Sequence, residues 1–240
     1  MTTIDLNADI GEGFGAYECG ADEYLLKYIT SANIACGFHA GDPHIMRKTV
    51  EGCLKEGVAM GAHPGLPDRL GFGRRELAVT PEEAGDFVLY QIGALHSFVK
   101  AAGVKLHHIK LHGALYHMAS KQAEMAQAIV KSIHQFEPDL LLYGLSGSQL
   151  HLAANNKGIR FISEGFADRA YMPDGSLAPR HLPGAVLEET EAIAHQAVSL
   201  ALGGKIQTLC LHGDTQKAQE HAKRILQSLQ LAGVNIQTQG

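Results

Sequence analysis

The sequence predicts an α/β fold built on a parallel sheet, and three observations carry that reading. Apolar, strand-like runs alternate with helix-like stretches along the 240 residues, the order that generates βα units and a parallel sheet. The runs lack clean apolar/polar alternation, as expected of strands buried on both faces. Four runs end on a histidine next to a glycine or one residue away (His39, His63, His112 and His212), and two more on acids (Asp9 and Glu164). In a barrel of alternating strands and helices the C-terminal strand ends share one rim, where active sites sit. Imidazoles and carboxylates would then converge on one pocket, the signature of acid/base or metal chemistry. Periodicity alone does not decide between a closed barrel and an open sheet.

The elements follow in order. A first strand at 3–9 leads into a loop punctuated by Gly11, Gly13 and Gly15, then a short helix near 22–30. Strand two, 32–37, meets Gly41-Asp42-Pro43, a cap and first-turn proline for a helix at 43–56 whose Ile45, Val50, Cys53 and Leu54 share roughly one face. Strand three, 58–62, enters a polar loop at 64–79, and Thr80-Pro81-Glu82-Glu83 starts a long helix reaching 102. Strand four spans 106–111, followed by a helix at 121–136 that Pro138 stops. Strand five is 140–143 with a helix at 146–156, and strand six is 159–164 with a long loop at 165–187 and a helix at 188–202. Strand seven, 207–211, precedes a last helix at 215–232, giving seven βα units in a single domain over 1–240. Both long loops fall after strands, on the rim that a barrel would use, and long loops in compact domains are commonly functional.

Composition narrows the function classes. Hydrophobic content of 45% and charged content of 19% are ordinary for one large globular domain. A net charge of -5, with lysine and arginine scattered singly, argues against nucleic acid or a membrane surface as partner. Cys19, Cys36, Cys53 and Cys210 form no C-x-x-C pair, so neither a zinc ribbon nor a thioredoxin-like motif is present. Cys36 and Cys210 fall in apolar strand candidates as small buried hydrophobes, which suits a reducing compartment. The start has no basic region or apolar stretch of a signal peptide, and no apolar run nears the roughly 20 residues that span a bilayer. The expected location is cytoplasmic.

The strand ends carry the chemistry. Asp9, His39 and His63 end the first three strands, and a carboxylate with two imidazoles is a frequent ligand set for zinc or another first-row divalent metal. A metal-free use of the same residues as acid/base groups is the favoured alternative, and hydrogen bonding of His39 and His63 to loop backbone is the structural one. Lys110 and His112 point to one face of strand four. A lysine flanked by Ile109 and Leu111 needs a carboxylate or an anionic ligand, either an ion pair with Asp9 or Glu164 or a fixed cation for a substrate anion or oxyanion. His107 and His108, just before, read as surface or loop residues. Arg169 and Arg180 in the second long loop suit capture of a carboxylate or phosphate, or brace the loop. The loop from Asp68 to Arg75 is basic and glycine-rich and reads as a lid or a protein contact surface. His212 reads as a site residue and Asp214 as a helix cap. Tyr17, Tyr116 and Tyr171 carry little signal; Met118 and Met172 read as filler. No P-loop, complete G-x-G-x-x-G or G-x-S-x-G is present.

Several segments resemble the LamB/YcsF family over nearly the whole chain: the opening Asp5-Leu6-Asn7-Ala8-Asp9-Ile10-Gly11-Glu12; the distinctive Ser31 to Pro43 segment; Gly61 to Gly65 with Gly71 to Arg75; Lys110 to Tyr116; Glu164 to Tyr171; and Leu211-His212-Gly213-Asp214. Leu111 stands where members usually carry proline. The resemblance implies a distorted (β/α)7-type barrel similar to the glycoside hydrolase/deacetylase fold, some of whose members bind metal through an aspartate and two histidines. It implies opening of 5-oxoproline, a small lactam, to L-glutamate with hydrolysis of ATP, the chain acting as the A component of a 5-oxoprolinase beside B and C subunits. On that basis Asp9, His39, His63, Lys110, His112 and Glu164 are expected catalytic residues, and Asn7, Glu12, Arg169, Arg180 and His212 substrate-binding ones. With no nucleotide fingerprint here, ATP is expected to bind mainly the partner subunits. Asp9 or one of His39 and His63 would be the base, Lys110 and Arg169 would hold the carboxylate or phosphoryl group, and Glu164 or His112 would return a proton to the leaving nitrogen. Two rivals are a stand-alone metal-dependent deacetylase or amidohydrolase, marked by bound metal and sensitivity to chelation, and a non-catalytic scaffold, marked by tolerance of rim substitutions.

Overall fold

One strand closes the sheet. β1 (Thr3–Ile10) pairs in parallel with β2 (Ser31–Ala35) on one side, Asn7 opposite Ser31, and with β7 (Thr208–His212) on the other, Asp5 opposite Thr208 and Asp9 opposite His212. Between them run β3 (Ala59–His63), β4 (His108–Lys110), β5 (Leu141–Gly144) and β6 (Phe161–Phe166), each parallel to its neighbours. The result is a closed barrel of seven parallel strands surrounded by helices. A two-residue strand that the sequence does not signal, β8 (Asn235–Ile236), pairs with Thr3 and Ile4 outside the ring. The computed structural model describes residues 2–17, 22–172, 176–180, 182–212 and 217–240, and of His212 the backbone. No described helix is long and apolar enough to cross a membrane.

Local chemistry sets the helices. α1 (Asp22–Leu25) is shorter than the sequence suggests. In α2 (Pro43–Glu56) the Asp42 carboxylate accepts from the backbone N–H groups of His44 and Ile45 at 2.8 and 2.9 Å, and Pro43 occupies the first turn. α3 (Pro81–Ala101) opens on a reciprocal capping box between Thr80 and Glu83. α4 (Gly113–Lys121) stands where the sequence suggests a loop, because nothing caps it: His112 at its N-cap makes no side-chain cap bond. Packing holds it instead, with Ala114, Leu115, Tyr116, Met118 and Ala119 buried. α5 (Ala123–Phe136), α6 (Gln149–Lys157), α7 (Thr190–Leu202) and α8 (Ala218–Leu231) complete the outer layer. Gly213, Asp214, Thr215 and Gln216 lie outside the described residues, as does Cys19, so the cap expected of Asp214 does too.

The expectation of unpatterned strands is corrected. In β1, Ile4, Leu6, Ala8 and Ile10 alternate with Asp5, Asn7 and Asp9, all buried. β4 alternates His108, Ile109 and Lys110; β7 alternates Thr208, Leu209, Cys210 and Leu211. The apolar set joins the hydrophobic core together with the helices. The polar set meets its counterparts inside the ring, where Leu141, Tyr143 and Ile162 form a small apolar cluster of their own. His108 is therefore no surface residue. It is fully buried, donates from Nε2 to Asn33 Oδ1 at 2.8 Å, and stacks on Tyr143 at a 4.1 Å centroid separation.

Room for that ring comes from β3, where a Cβ on Gly61 would collide with the His108 imidazole. Gly61→Ala must displace the ring from Asn33 and is expected to cost about 1–3 kcal/mol, the range for overpacking a filled interior. Denaturant unfolding measures it; wild-type stability would show that the interior yields freely.

Candidate functional site

The barrel interior is a directed hydrogen-bond chain. Beyond the His108 bond, Asn33 Nδ2 donates to Asn7 Oδ1 at 2.7 Å, Asn7 Nδ2 to Thr208 Oγ1 at 2.7 Å, and Thr208 Oγ1 to Asp5 Oδ2 at 2.5 Å. Asp5 Oδ1 also accepts from the Thr30 and Ser31 hydroxyls at 2.6 and 2.7 Å. Every donor in this series finds an acceptor, the condition under which buried polar groups are tolerated. The chain fixes the residues one layer nearer the rim.

That layer is organised by Lys110. Its Nζ lies 2.9 Å from Asp9 Oδ1, 3.0 Å from Glu164 Oε1, 3.2 Å from Asn7 Oδ1 and 2.8 Å from Cys210 Sγ. Burial alone would lower its pKa, but Asp9, Cys210 and Glu164 hold it well above the ordinary lysine value. Cys210 is thus a polar contact as well as a buried thiol. Glu164, inside β6 rather than at its end, also accepts from Asn7 Nδ2 at 3.1 Å and from the Tyr116 hydroxyl at 3.0 Å. Three donors are thus aimed at the Glu164 carboxyl, from Lys110, Asn7 and Tyr116. Tyr116 carries little signal in the sequence because its significance depends on α4.

Three histidines stand beside this layer, two of them with tautomers set by backbone carbonyls. His63 Nδ1 donates to the Lys110 carbonyl at 2.7 Å, and His112 Nε2 to the Phe72 carbonyl at 2.8 Å. The other two ring nitrogens, His63 Nε2 and His112 Nδ1, face each other at 2.9 Å. That contact is satisfied by a proton shared between the rings or by a cation that both nitrogens ligate. Carboxylates stand close: Asp9 Oδ2 is 3.3 Å from His63 Nε2, and Glu12 Oε1 is 3.6 Å from His112 Nδ1 and 3.2 Å from His39 Nε2. His39 stacks on His112 at 3.7 Å between centroids, and its Nδ1 is buried without a hydrogen-bond partner. Burial, and then neighbouring imidazoles, push the pKa values of His39 and His112 well below the ordinary histidine range, so both stay neutral. One donor atom each from Glu12, His39, His63 and His112 lies within 4.8 Å of the others, a buried cluster able to hold a metal ion. The anticipated set of Asp9, His39 and His63 shares both histidines with this cluster, and Asp9 stands beside it, between His63 and Lys110.

The loop after β3 folds onto this cluster. Phe72 (φ +54) and Gly73 (φ +63) both take left-handed conformations, turning the Phe72 carbonyl toward His112. A Cβ on Gly73 would come within 2.7 Å of His39 Cβ and 2.9 Å of His112 Cδ2. Gly73 accepts from the Ala114 amide at 2.8 Å, tying the loop to α4.

A cavity of about 490 Å³ opens from here, and Asp9, His63, Lys110, His112, Arg169 and Arg180 all line it. Asn7, Glu12, His39 and Glu164 are buried among or behind these residues and do not line it. Asn7 and Glu12, expected to bind substrate, stand behind the residues that line this cavity. Arg169 is largely a loop brace, donating from Nε to Ala185 O at 3.3 Å and from Nη2 to Ala178 O at 2.5 Å. The His212 side chain lies outside the described residues.

The sequence pattern of the LamB/YcsF family matches residues 4–240. The chain belongs to the LamB/YcsF family. A relative from Geobacillus kaustophilus, named as the A subunit of 5-oxoprolinase, is 51% identical over 249 aligned positions covering 99% of this chain and 97% of that protein. The crystal structure of a lactam utilization protein from Thermus thermophilus superposes with a TM-score of 0.93 at 43% identity, covering 98% of this chain and 99% of that one. The catalytic domain of a peptidoglycan N-acetylglucosamine deacetylase from Eubacterium rectale shares the fold, with a TM-score of 0.56 at 13% identity over 100% of this chain and 89% of that one.

Replacing Lys110 by methionine leaves Asp9 and Glu164 buried without their shared counter-charge. The expected loss is about 3–5 kcal/mol, as for other broken buried pairs. The stranded carboxylates gain protons in the folded state at higher pH than in the unfolded chain, so the deficit should shrink as pH falls. Denaturant unfolding of the variant at neutral and mildly acidic pH checks both size and sign.

Proposed function

We propose that this chain is the A component of an ATP-dependent 5-oxoprolinase and performs the hydrolytic opening of the lactam ring. The observation that carries the reading is the convergence of Asp9, His63, Lys110 and His112 on one cavity; the names of full-length relatives near half identity support the role within a larger enzyme. A five-membered lactam is a weak electrophile, so activation of its carbonyl oxygen by ATP is assigned to the complex, with B and C subunits as the expected partners. A cytoplasmic setting fits the free thiols of Cys36, Cys53 and Cys210.

Asp9 is positioned as the base. Lys110 and Asn33 hold its Oδ1 at 2.9 and 2.8 Å, leaving Oδ2 on the His63 side. Water adds to the ring carbonyl carbon as Asp9 takes its proton; the carbon–nitrogen bond then breaks, and the same carboxyl returns the proton to the nitrogen. On the ring phosphorylated at its carbonyl oxygen this opening leaves the free amine and an acyl phosphate, and a second water cleaves the acyl phosphate to inorganic phosphate and the carboxylate of L-glutamate. Glu164 and Tyr116 keep Lys110 and the cavity wall in register. Glu12, His39, His63 and His112 would hold a divalent ion, for which the close approach of His63 Nε2 and His112 Nδ1 beside the Glu12 carboxylate is a fit. When bound, such an ion supplies Lewis acidity at the carbonyl and the attacking water.

A stand-alone metal-dependent amidohydrolase is the second reading, favoured by the same histidine cluster. Reconstitution with the partner subunits separates the two: ATP-dependent glutamate release supports the first, whereas metal-dependent hydrolysis by this chain alone supports the second. Asp9→Asn is expected to lower glutamate formation by about 10²–10⁴-fold, the usual contribution of a positioned base; wild-type turnover would remove Asp9 from the reaction. Elemental analysis should find a divalent metal in the wild type and lose it in a His63→Ala/His112→Ala variant. Equal metal content in both proteins would rule out the cluster as its site.

A further inference from the structure

We infer that Gln91, a residue of α3 outside the barrel, is a positioning residue for the histidine cluster and acts through the peptide unit that joins Pro64 to Gly65. The inference rests on the proposed function in taking that cluster as the working part of the cavity. Gln91 lies on the inner face of α3 with Ala84, Val88, Ile92 and Leu95, all fully buried. An amide among apolar side chains is costly unless its polar atoms are bonded. Here both ends of the amide are used. Oε1 accepts from the Gly65 N–H at 3.0 Å, and Nε2 donates to the Gly65 carbonyl at 2.9 Å and to the Phe87 carbonyl at 2.9 Å. The partners fix which end is oxygen, since an N–H only donates and a carbonyl only accepts. The Phe87 bond holds Gln91 to its own helix, and the other two grip Gly65 in the loop directly after β3.

A peptide unit is planar, and in the trans form its N–H and C=O point to opposite sides. The unit that gives its N–H to Gln91 therefore turns the Pro64 carbonyl the other way, where it accepts from the His112 backbone N–H at 2.9 Å. One rigid plane thus links Gln91 to the residue from which α4 starts. No side-chain cap holds His112 there, so this backbone bond is a restraint on its position. The His112 ring stacks on His39 at 3.7 Å between centroids. Gly65 also backs His39 directly, since a Cβ at Gly65 would come within 2.7 Å of His39 Nδ1. His39 and His112 therefore both depend on where the Gly65 backbone stands, whereas His63 is held by the Lys110 carbonyl. Without Gln91 the buried N–H and C=O of Gly65 lose their partners. The loop must then shift to bond elsewhere, carrying the Pro64 carbonyl away from His112.

Zn²⁺ titrated into the purified chain against a competing chelator tests this, with wild type, Gln91→Met and Leu95→Ala compared. Gln91→Met should bind Zn²⁺ about 10–100-fold more weakly, the loss usual when a group that orients metal ligands is removed. Leu95→Ala takes core packing from the same helix and should lower stability while keeping wild-type affinity. NMR of the imidazole N–H groups gives a second readout that needs no metal. In Gln91→Met the His112 signal, bonded to the Phe72 carbonyl, should move, while that of His108, bonded to Asn33 deeper in the barrel, should stay. Gly65→Ala removes no hydrogen-bonding group and adds a methyl group against His39, so it tests the same link if Gln91→Met does not fold; it too should weaken Zn²⁺ binding. Wild-type affinity in Gln91→Met or Gly65→Ala, an equal loss in Leu95→Ala, or an unmoved His112 signal would overturn the role of Gln91. If the wild type itself binds no Zn²⁺, the His112 signal decides. A chain that behaves as expected here but gives no glutamate with its partners would keep the role of Gln91 and lose the lactam reading; glutamate release with an indifferent Gln91→Met would do the reverse.

Discussion

A single ammonium group inside the ring is the constraint around which the other residues are arranged. Carboxylates are costly to bury, and the barrel interior contains Asp5, Asp9 and Glu164 together. Lys110 bridges Asp9 and Glu164, at 2.9 and 3.0 Å, and Asn7 and Asn33 tie that bridge to the layer below. The carbonyl of the same residue fixes the tautomer of His63. Backbone and side chain of Lys110 thus set both the charge state of the proposed base and the orientation of the first imidazole.

Barrels of this general kind usually fill their interior with branched apolar side chains. Here the apolar residues of β1, β4 and β7 turn outward and join the core that the helices complete, while the inward residues form hydrogen-bond layers. Tertiary interactions carry the stability on the outside and the chemistry on the inside. Substitution of an inward residue is consequently felt both as lost packing order and as a changed site. Gly61 and Gly73 extend that coupling, since each leaves space for a histidine ring that a methyl group would claim.

Much of this is legible from residue order. Asp9, His63, Lys110 and His112 stand at or just past strand ends, and strand ends on one rim must approach one another once the sheet closes. Closure itself is not legible from periodicity, because a parallel strand reads alike in an open sheet; the family resemblance supplies it. His108 reads as a surface residue because it opens a strand of three residues beside His107, and nothing local shows that Gly61 on the neighbouring strand makes room for it. Tyr116 stays inconspicuous because α4 has no cap, so its face cannot be assigned from sequence. Glu12 joins the histidines through loop geometry rather than through any strand register. The period-2 run of Asp5, Asn7 and Asp9 is visible, but its inward direction depends on helices lying outside.

The account rests on a protonated Lys110 between two carboxylates, and its ionisation can be read directly. Nitrogen-15 NMR of the lysine side chains, followed through the alkaline range, should show one ammonium resonance that persists after the surface lysines have titrated and disappears in Lys110→Met. A Lys110 signal that titrates with or before the surface lysines would contradict the ion-pair geometry and, with it, the assignment of Asp9 as a base held ionised.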